Sequence, residues 1–136
     1  MRWVVVAVDG SPRSLRAVRL SAKIASALSA SLSVIHVVAV DEVPILIADA
    51  EDEETLKLGQ IVLSDALGVA REYGVRARGE LLHGAAADQI ISYVRTHPAD
   101  LLILGTRGLR PARGILVGSV SQSVGRRAKV QVVLVR

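Results

Sequence analysis

Apolar residues recur along this chain in two alternating rhythms. Residues 2–8, RWVVVAV, form a continuous β-branched run that is too short for a helix, which predicts a strand buried on both faces. Asp9-Gly10 turns the chain, and Ser11-Pro12 supplies a helix N-cap and a first helical position. Leu15, Val18, Ala22, Ala25 and Leu28 then recur every three to four residues, the spacing of one helix face. Residues 31–40, SLSVIHVVAV, predict a second strand. Leu58, Ile61, Val62, Ala66, Val69 and Tyr73 predict a helix over 54–73 with Gly74 as its stop. Residues 75–82, VRARGELL, alternate before turning apolar, as a strand nearer a sheet edge does. A helix over 85–97, with Ile90, Ile91 and Val94 inward, ends before Pro98. A fourth strand at 101–104, a last helix at 118–128 and a fifth strand in VQVVLVR close the chain.

Strands and helices in strict alternation predict the α/β class: a five-stranded parallel sheet with helices on both faces, a Rossmann-like three-layer sandwich. Ligands of such sheets bind beyond the carboxyl ends of strands, where the strand order reverses. With the order 3-2-1-4-5, the ends of the first and fourth strands flank that point, and Asp9 and Gly105 line one crevice. No internal repeat or low-complexity linker interrupts the pattern, so residues 1–136 are expected to form one domain.

Composition narrows the chemistry. A chain of 136 residues can bury roughly two-thirds of its unfolded surface in a core of its own. It contains no cysteine, which excludes disulfides, thiol catalysis and cysteine zinc sites. Its 51% hydrophobic content includes no run near the ~20 residues of a membrane span, and no signal peptide is apparent, so a cytoplasmic location is expected. The formal charge of +4 is unevenly spread. Residues 41–54 hold seven acids and no base, while residues 101–136 hold seven bases and no acid. Arg126, Arg127 and Arg136 read as a solvated basic surface; for Arg107, Arg110 and Arg113 that reading stands beside attraction of a phosphate.

Those last three arginines lie in DLLILGTRGLRPARGILVGSVS, residues 100–121, where a buried strand leads through a glycine-rich loop into a helix. Free N–H groups converge on a helix N-terminus and its dipole favours negative charge, so a phosphate is expected near Gly118-Ser119-Val120-Ser121. No lysine follows the glycines as a Walker A motif requires, and the first strand leads into Asp9-Gly10-Ser11 in place of a G-x-G-x-x-G fingerprint. The pattern present is Gly105-x2-Gly108-x9-Gly118-Ser119.

That spacing, with VVAVDGSPRS at the first turn, SVIHVV in the second strand, DLLILGTRG, GSVSQSV and VVLVR, resembles the single-domain, ATP-binding type of the universal stress protein family over nearly the whole chain. The resemblance implies ATP at the crevice, with Mg²⁺ held mainly by the phosphates. It puts Ala7, Val8 and Asp9 along the adenosine, with Asp9 near the ribose, and the Val37 backbone on adenine. Gly105 and Gly108 would let the backbone approach ribose and phosphates. Gly118, Ser119, Val120 and Ser121 would hold the phosphates. Arg107 stands where many members have histidine and keeps the attraction for phosphate. Ala86 stands where proline is common, and Lys129-Val130-Gln131 replaces a proline-rich lead into the last strand. The family commonly pairs that strand across a two-fold axis, which implies a homodimer through 130–135. An exposed apolar edge strand points the same way on physical grounds.

Each site residue has a plainer reading: Asp9 as a helix cap, the glycines as turn residues, Ser121 as a solvated first-turn serine. His36, His83 and His97 are scattered without metal-ligand spacing and read as structural, and no serine sits in a G-x-S-x-G turn. The metal-holding acids and nucleophile-orienting group of a dedicated phosphoryl-transfer enzyme are not identifiable, so a regulatory nucleotide-binding module of the stress response with at most slow ATP hydrolysis is expected. A nucleotide-dependent hydrolase or transferase on the same fold is the alternative. A phospho-acceptor receiver would need clustered acids at the first strand's end. Nucleic-acid binding has little to stack bases on, with one Trp, two Tyr and no Phe. The acidic 41–54 segment is expected to be a long connection that partly covers the ligand, its Glu51–Glu54 cluster at or before the first turn of the second helix.

Overall fold

A computed structural model of the chain describes residues 1–39, 45–106 and 119–136. The order is β1 (Trp3–Val8), α1 (Pro12–Leu28), β2 (Ser31–Ala39), α2 (Ile45–Glu72), β3 (Arg78–Gly84), α3 (Ala86–Thr96), β4 (Leu101–Gly105), α4 (Ser119–Arg127) and β5 (Gln131–Val135). The five strands form one sheet in the order β3-β2-β1-β4-β5, all neighbours parallel. The fold class expected from the alternation, and the strand order 3-2-1-4-5 set beside it, are those observed.

Period-two alternation divides the core between the two faces of the sheet. Val4, Val6 and Val8 point with Val34 and Ile103 toward Ala17, Val18, Ala22 and Ala25 of α1 and Ala66 and Ala70 of α2. Val5, Ile35, Leu102 and Leu104 point the other way, toward Ile90, Ile91 and Val94 of α3 and Val124 of α4. β1 and β4 carry no charged or hydroxyl side chain because both of their faces are covered. β3 and β5 are the edges, and β3 is only half-buried along most of its length.

Helix α1 starts as its sequence directs: the Ser11 Oγ accepts the Ser14 N–H at 3.1 Å, and Pro12 fills the first position. Its inward face differs in one place from expectation, since Leu28 is exposed in the last turn and Ser21 is buried. The Ser21 hydroxyl is satisfied by donating to the Ala17 carbonyl at 2.6 Å.

Helix α2 overturns a boundary. It begins at Ile45, nine residues before the expected start at 54, so the second half of the acidic segment is helical and not a connection. No glycine or proline interrupts residues 45–58, and Ile, Leu, Ala and Glu all sustain a helix, so charge density alone did not make this stretch a loop. The Glu51–Glu54 cluster therefore lies past the first turn, which carries no acid. Leu58 and Ile61 are exposed, whereas Val62, Ala66, Val69 and Tyr73 pack into the core as expected, joined by Leu63, Leu67 and Ala70. Residues 40–44 and 107–118 lie outside the described residues, and with them Arg107, Gly108, Gly118 and the first part of the expected cover.

Candidate functional site

The carboxyl ends of β1, β2 and β4 open into a crevice of about 280 Å³ at the point where the chain switches from one side of β1 to the other. Ala7, Val8 and Asp9 come from β1 and the turn after it, His36 and Val37 from β2, and Leu104 and Gly105 from β4. Ser14 of α1, Ala86 and Ile90 of α3, and Val120 and Ser121 of α4 complete the lining. The walls are mainly aliphatic, with polar groups gathered toward the helix starts.

At the β1 end, Gly10 takes a φ of +86°, a left-handed conformation suited to glycine. This turn lets the Asp9 Oδ1 accept the Ser11 N–H at 2.9 Å. Asp9 thus braces the residue that caps α1, while Ser11 is the cap itself. Ser14 is buried, and its hydroxyl donates to the Ser11 carbonyl at 2.8 Å.

His36 is fixed from two sides. Its Nδ1 lies 2.7 Å from the Val8 carbonyl, and because a carbonyl only accepts, Nδ1 carries the proton. On the α2 side, a Cβ at Gly59 would sit 3.4 Å from the His36 Cδ2 and 3.1 Å from Val38 Cγ2, so a glycine gives the ring its room. This histidine was expected to be structural; it holds the end of β1 and also lines the crevice.

Gly105 lines the crevice, but its lack of a side chain answers to another neighbour. A Cβ there would stand 3.0 Å from the Ser14 backbone nitrogen and 3.1 Å from the Arg13 carbonyl carbon. The close approach that needs glycine at this position is that of β4 to the first turn of α1, whereas the resemblance had implied ribose and phosphate. Across the crevice, Gly84 with φ +133° turns β3 into α3, whose N-cap Ala85 makes no side-chain capping bond.

Ser119, Val120 and Ser121 form the first turn of α4. Ser121 is 4% exposed and Val120 half-buried on the crevice, while Ser119 is exposed and is not part of its lining. Ser121 is therefore not the solvated serine of the plainer reading. The starts of α1, α3 and α4 all contribute to the lining, so three helix dipoles present their positive ends there. Among the described residues, no group of three His, Asp or Glu side chains is arranged to hold a metal ion.

Of the residues singled out in the sequence, Ala7, Val8, Asp9, Val37, Gly105, Val120 and Ser121 meet at this one crevice. Sequence reasoning missed Ser14, His36, Ala86, Ile90 and Leu104 as lining residues. A signal existed for two of them: Ser14 sits three residues after the N-cap, and His36 is in register with Val8 once the strand order is given.

This is a doubly wound α/β domain with its open crevice at the topological switch point. The chain belongs to the universal stress protein family, whose family model matches residues 1–136. It is 35% identical to a universal stress protein of Mycobacterium tuberculosis strain H37Rv over 98% of this chain and 95% of that one. It is 34% identical to one of Methanocaldococcus jannaschii, covering 98% of this chain and 81% of the relative. Among solved structures, a universal stress protein from Archaeoglobus fulgidus superposes with a TM-score of 0.85, covering 100% of this chain and 99% of that one at 24% identity. A universal stress protein in complex with cAMP superposes with a TM-score of 0.80 at 32% identity, covering 99% and 97% of the two chains.

Proposed function

We propose that this chain is a regulatory nucleotide-binding module of the stress response, acting as one cytoplasmic domain, with an adenine nucleotide, ATP foremost, as the ligand of the crevice. The observation that carries this is the crevice itself: an aliphatic slot that ends at helix N-termini, at the one place where this sheet topology opens. The 32%-identical relative solved with cAMP supports a nucleotide of this class.

In this reading Ala7, Val8, Ile90 and Leu104 flank base and ribose, the Val37 backbone meets the base edge, and Asp9 faces the ribose. Gly108 leaves room for the sugar and phosphates, and Gly105 brings the β4 backbone to the crevice. Gly118, Ser119, Val120 and Ser121 offer N–H groups and hydroxyls to the phosphates, with Arg107 adding charge. Mg²⁺ would be held mainly by the phosphate oxygens and would offset their charge. Asp9 already commits one oxygen to the Ser11 N–H, so turnover is expected to be slow and occupancy to be the signal.

The test is a thermal-shift titration with ATP, ADP, AMP and cAMP in the presence of Mg²⁺, on the wild type, Gly118→Ala and Ala86→Leu. A ligand that binds only the native state adds about 2.7 kcal/mol at a hundredfold excess over its dissociation constant. ATP should raise the melting temperature of the wild type, and both variants should need at least tenfold more nucleotide for the same shift. Failure of every nucleotide to shift the wild type would sink the reading.

A further inference from the structure

A second cavity, of about 270 Å³, lies at the opposite pole of the sheet, at the amino ends of β1, β2 and β3. Trp3, Ser31, Ser33, Arg76 and Arg78 line it together with Leu32. The register explains the gathering. Trp3 is opposite Ser31, and Ser33 is opposite Arg78, so an aromatic, a hydroxyl and a guanidinium residue occupy three adjacent strands. Arg76 precedes β3 by two residues.

The floor of the cavity is organised. Ser33 is 2% exposed, and its Oγ accepts the Trp3 Nε1–H at 2.8 Å, which fixes the indole. The far side of Trp3 is held by His97, whose ring meets the indole edge-on at 5.9 Å and stacks on Tyr93 at 4.1 Å. The Tyr93 hydroxyl lies buried beside Ser33. Burial, as the main cause, raises its pKa, while Ser33 and the Arg78 charge act against that rise and Glu80 adds to it.

Arg76 and Arg78 are exposed, and neither guanidinium has an ion-pair or hydrogen-bond partner among the described residues. Glu80 is the nearby acid on β3, so the two arginines leave an excess of positive charge over it. Two arginines lining one cavity match the charge of a phosphate dianion better than that of a single carboxylate, and each guanidinium offers a fork of donors.

We propose that this amino-pole cavity binds a phosphate group, free or carried by a small organic molecule, through the Arg76 and Arg78 guanidinia, with Ser31 and Ser33 also lining it. The site is independent of the crevice, which opens at the other ends of the strands.

Trp3 is the one tryptophan of the chain, so its emission reports on this cavity directly. The experiment titrates the wild type, an Arg76→Gln/Arg78→Gln double variant and Arg78→Lys with inorganic phosphate and with phenyl phosphate, at ionic strength held constant with chloride. A saturable change in Trp3 emission is expected for the wild type, with a midpoint at least tenfold higher in the double variant and an intermediate one in Arg78→Lys. A tighter response to phenyl phosphate assigns the site to a phosphate carried by a ring-bearing molecule, and equal responses assign it to free phosphate. A change that never saturates, or a midpoint unmoved in a double variant with wild-type circular dichroism, overturns the proposal.

Discussion

Gly105 ends β4 against the backbone of another element, and a single added methyl group there separates two explanations of a signature glycine. A Cβ would stand 3.0 Å from the Ser14 nitrogen, and neither backbone can yield as a flexible side chain would. Gly105→Ala should therefore lower stability by about 1 to 3 kcal/mol in the absence of any ligand, read as a drop in urea midpoint. A variant of wild-type stability that failed only to bind nucleotide would restore the ligand-clearance role. Asp100 shows the same economy at the other pole. It accepts N–H bonds from Arg2 at 2.7 Å and Trp3 at 2.9 Å, and its own N–H donates to the Trp3 carbonyl at 2.9 Å. Chiefly the Arg2 N–H, then that of Trp3, holds its carboxyl below the ordinary carboxylate range. A carboxylate with a depressed folded pKa stabilises fully above the unfolded value of about 3.9, and that stabilisation is lost as pH falls through the folded value. The wild type should thus exceed Asp100→Asn in urea midpoint at pH 7, and the gap should close in acid below about pH 4. A gap of equal size at pH 7 and pH 2 would remove the charge from the explanation.

At the scale of an element, α2 shows how a periodic reading can find a helix and still misplace the first residues of its buried face. Leu58, Ile61, Val62, Ala66 and Val69 mark a helix, but Leu58 and Ile61 are 59% and 56% exposed and Ala66 is fully buried. Small residues set this contact. Ala66 and Ala70 face the sheet beneath larger flanking side chains, and a Cβ at Gly79 of β3 would come within 2.9 Å of Leu67 Cδ1. Ile61→Ser should change stability by less than about 0.5 kcal/mol. Ala66→Leu should cost about 1 to 3 kcal/mol through overpacking. Guanidinium unfolding of the two variants side by side checks the assignment, and equal effects would refute it.

For the whole molecule, the open question of assembly lies at the sheet's second edge. β5 pairs with β4 on one side only, and Leu134 on it is 41% exposed. An edge strand of this apolar character is a template for pairing with a second chain unless something covers it. If the homodimer expected through residues 130–135 forms, light scattering should give twice the chain mass. Leu134→Lys should then shift the population to monomer without lowering the monomer's own helix content. A wild type that scatters as a monomer at high concentration would exclude this edge as the interface.

The linear sequence by itself determined the element types, the parallel sheet and the place of the crevice. Those depend on local periodicity, on caps such as Ser11-Pro12 and on the handedness of strand–helix–strand connections, all of which act between near neighbours. Helix starts inside charged stretches were harder to see, as Ile45 shows, because acidic residues sustain a helix as readily as they populate a loop. Only the tertiary structure decided which neighbour each special residue serves. His36 bonds Val8 from 28 positions away, Gly105 clears α1, and Trp3, Ser33 and Arg78 become one surface through strand register. Pairings of that kind are set by packing between distant segments, and no pattern along the chain encodes a contact between two surfaces that folding alone brings together.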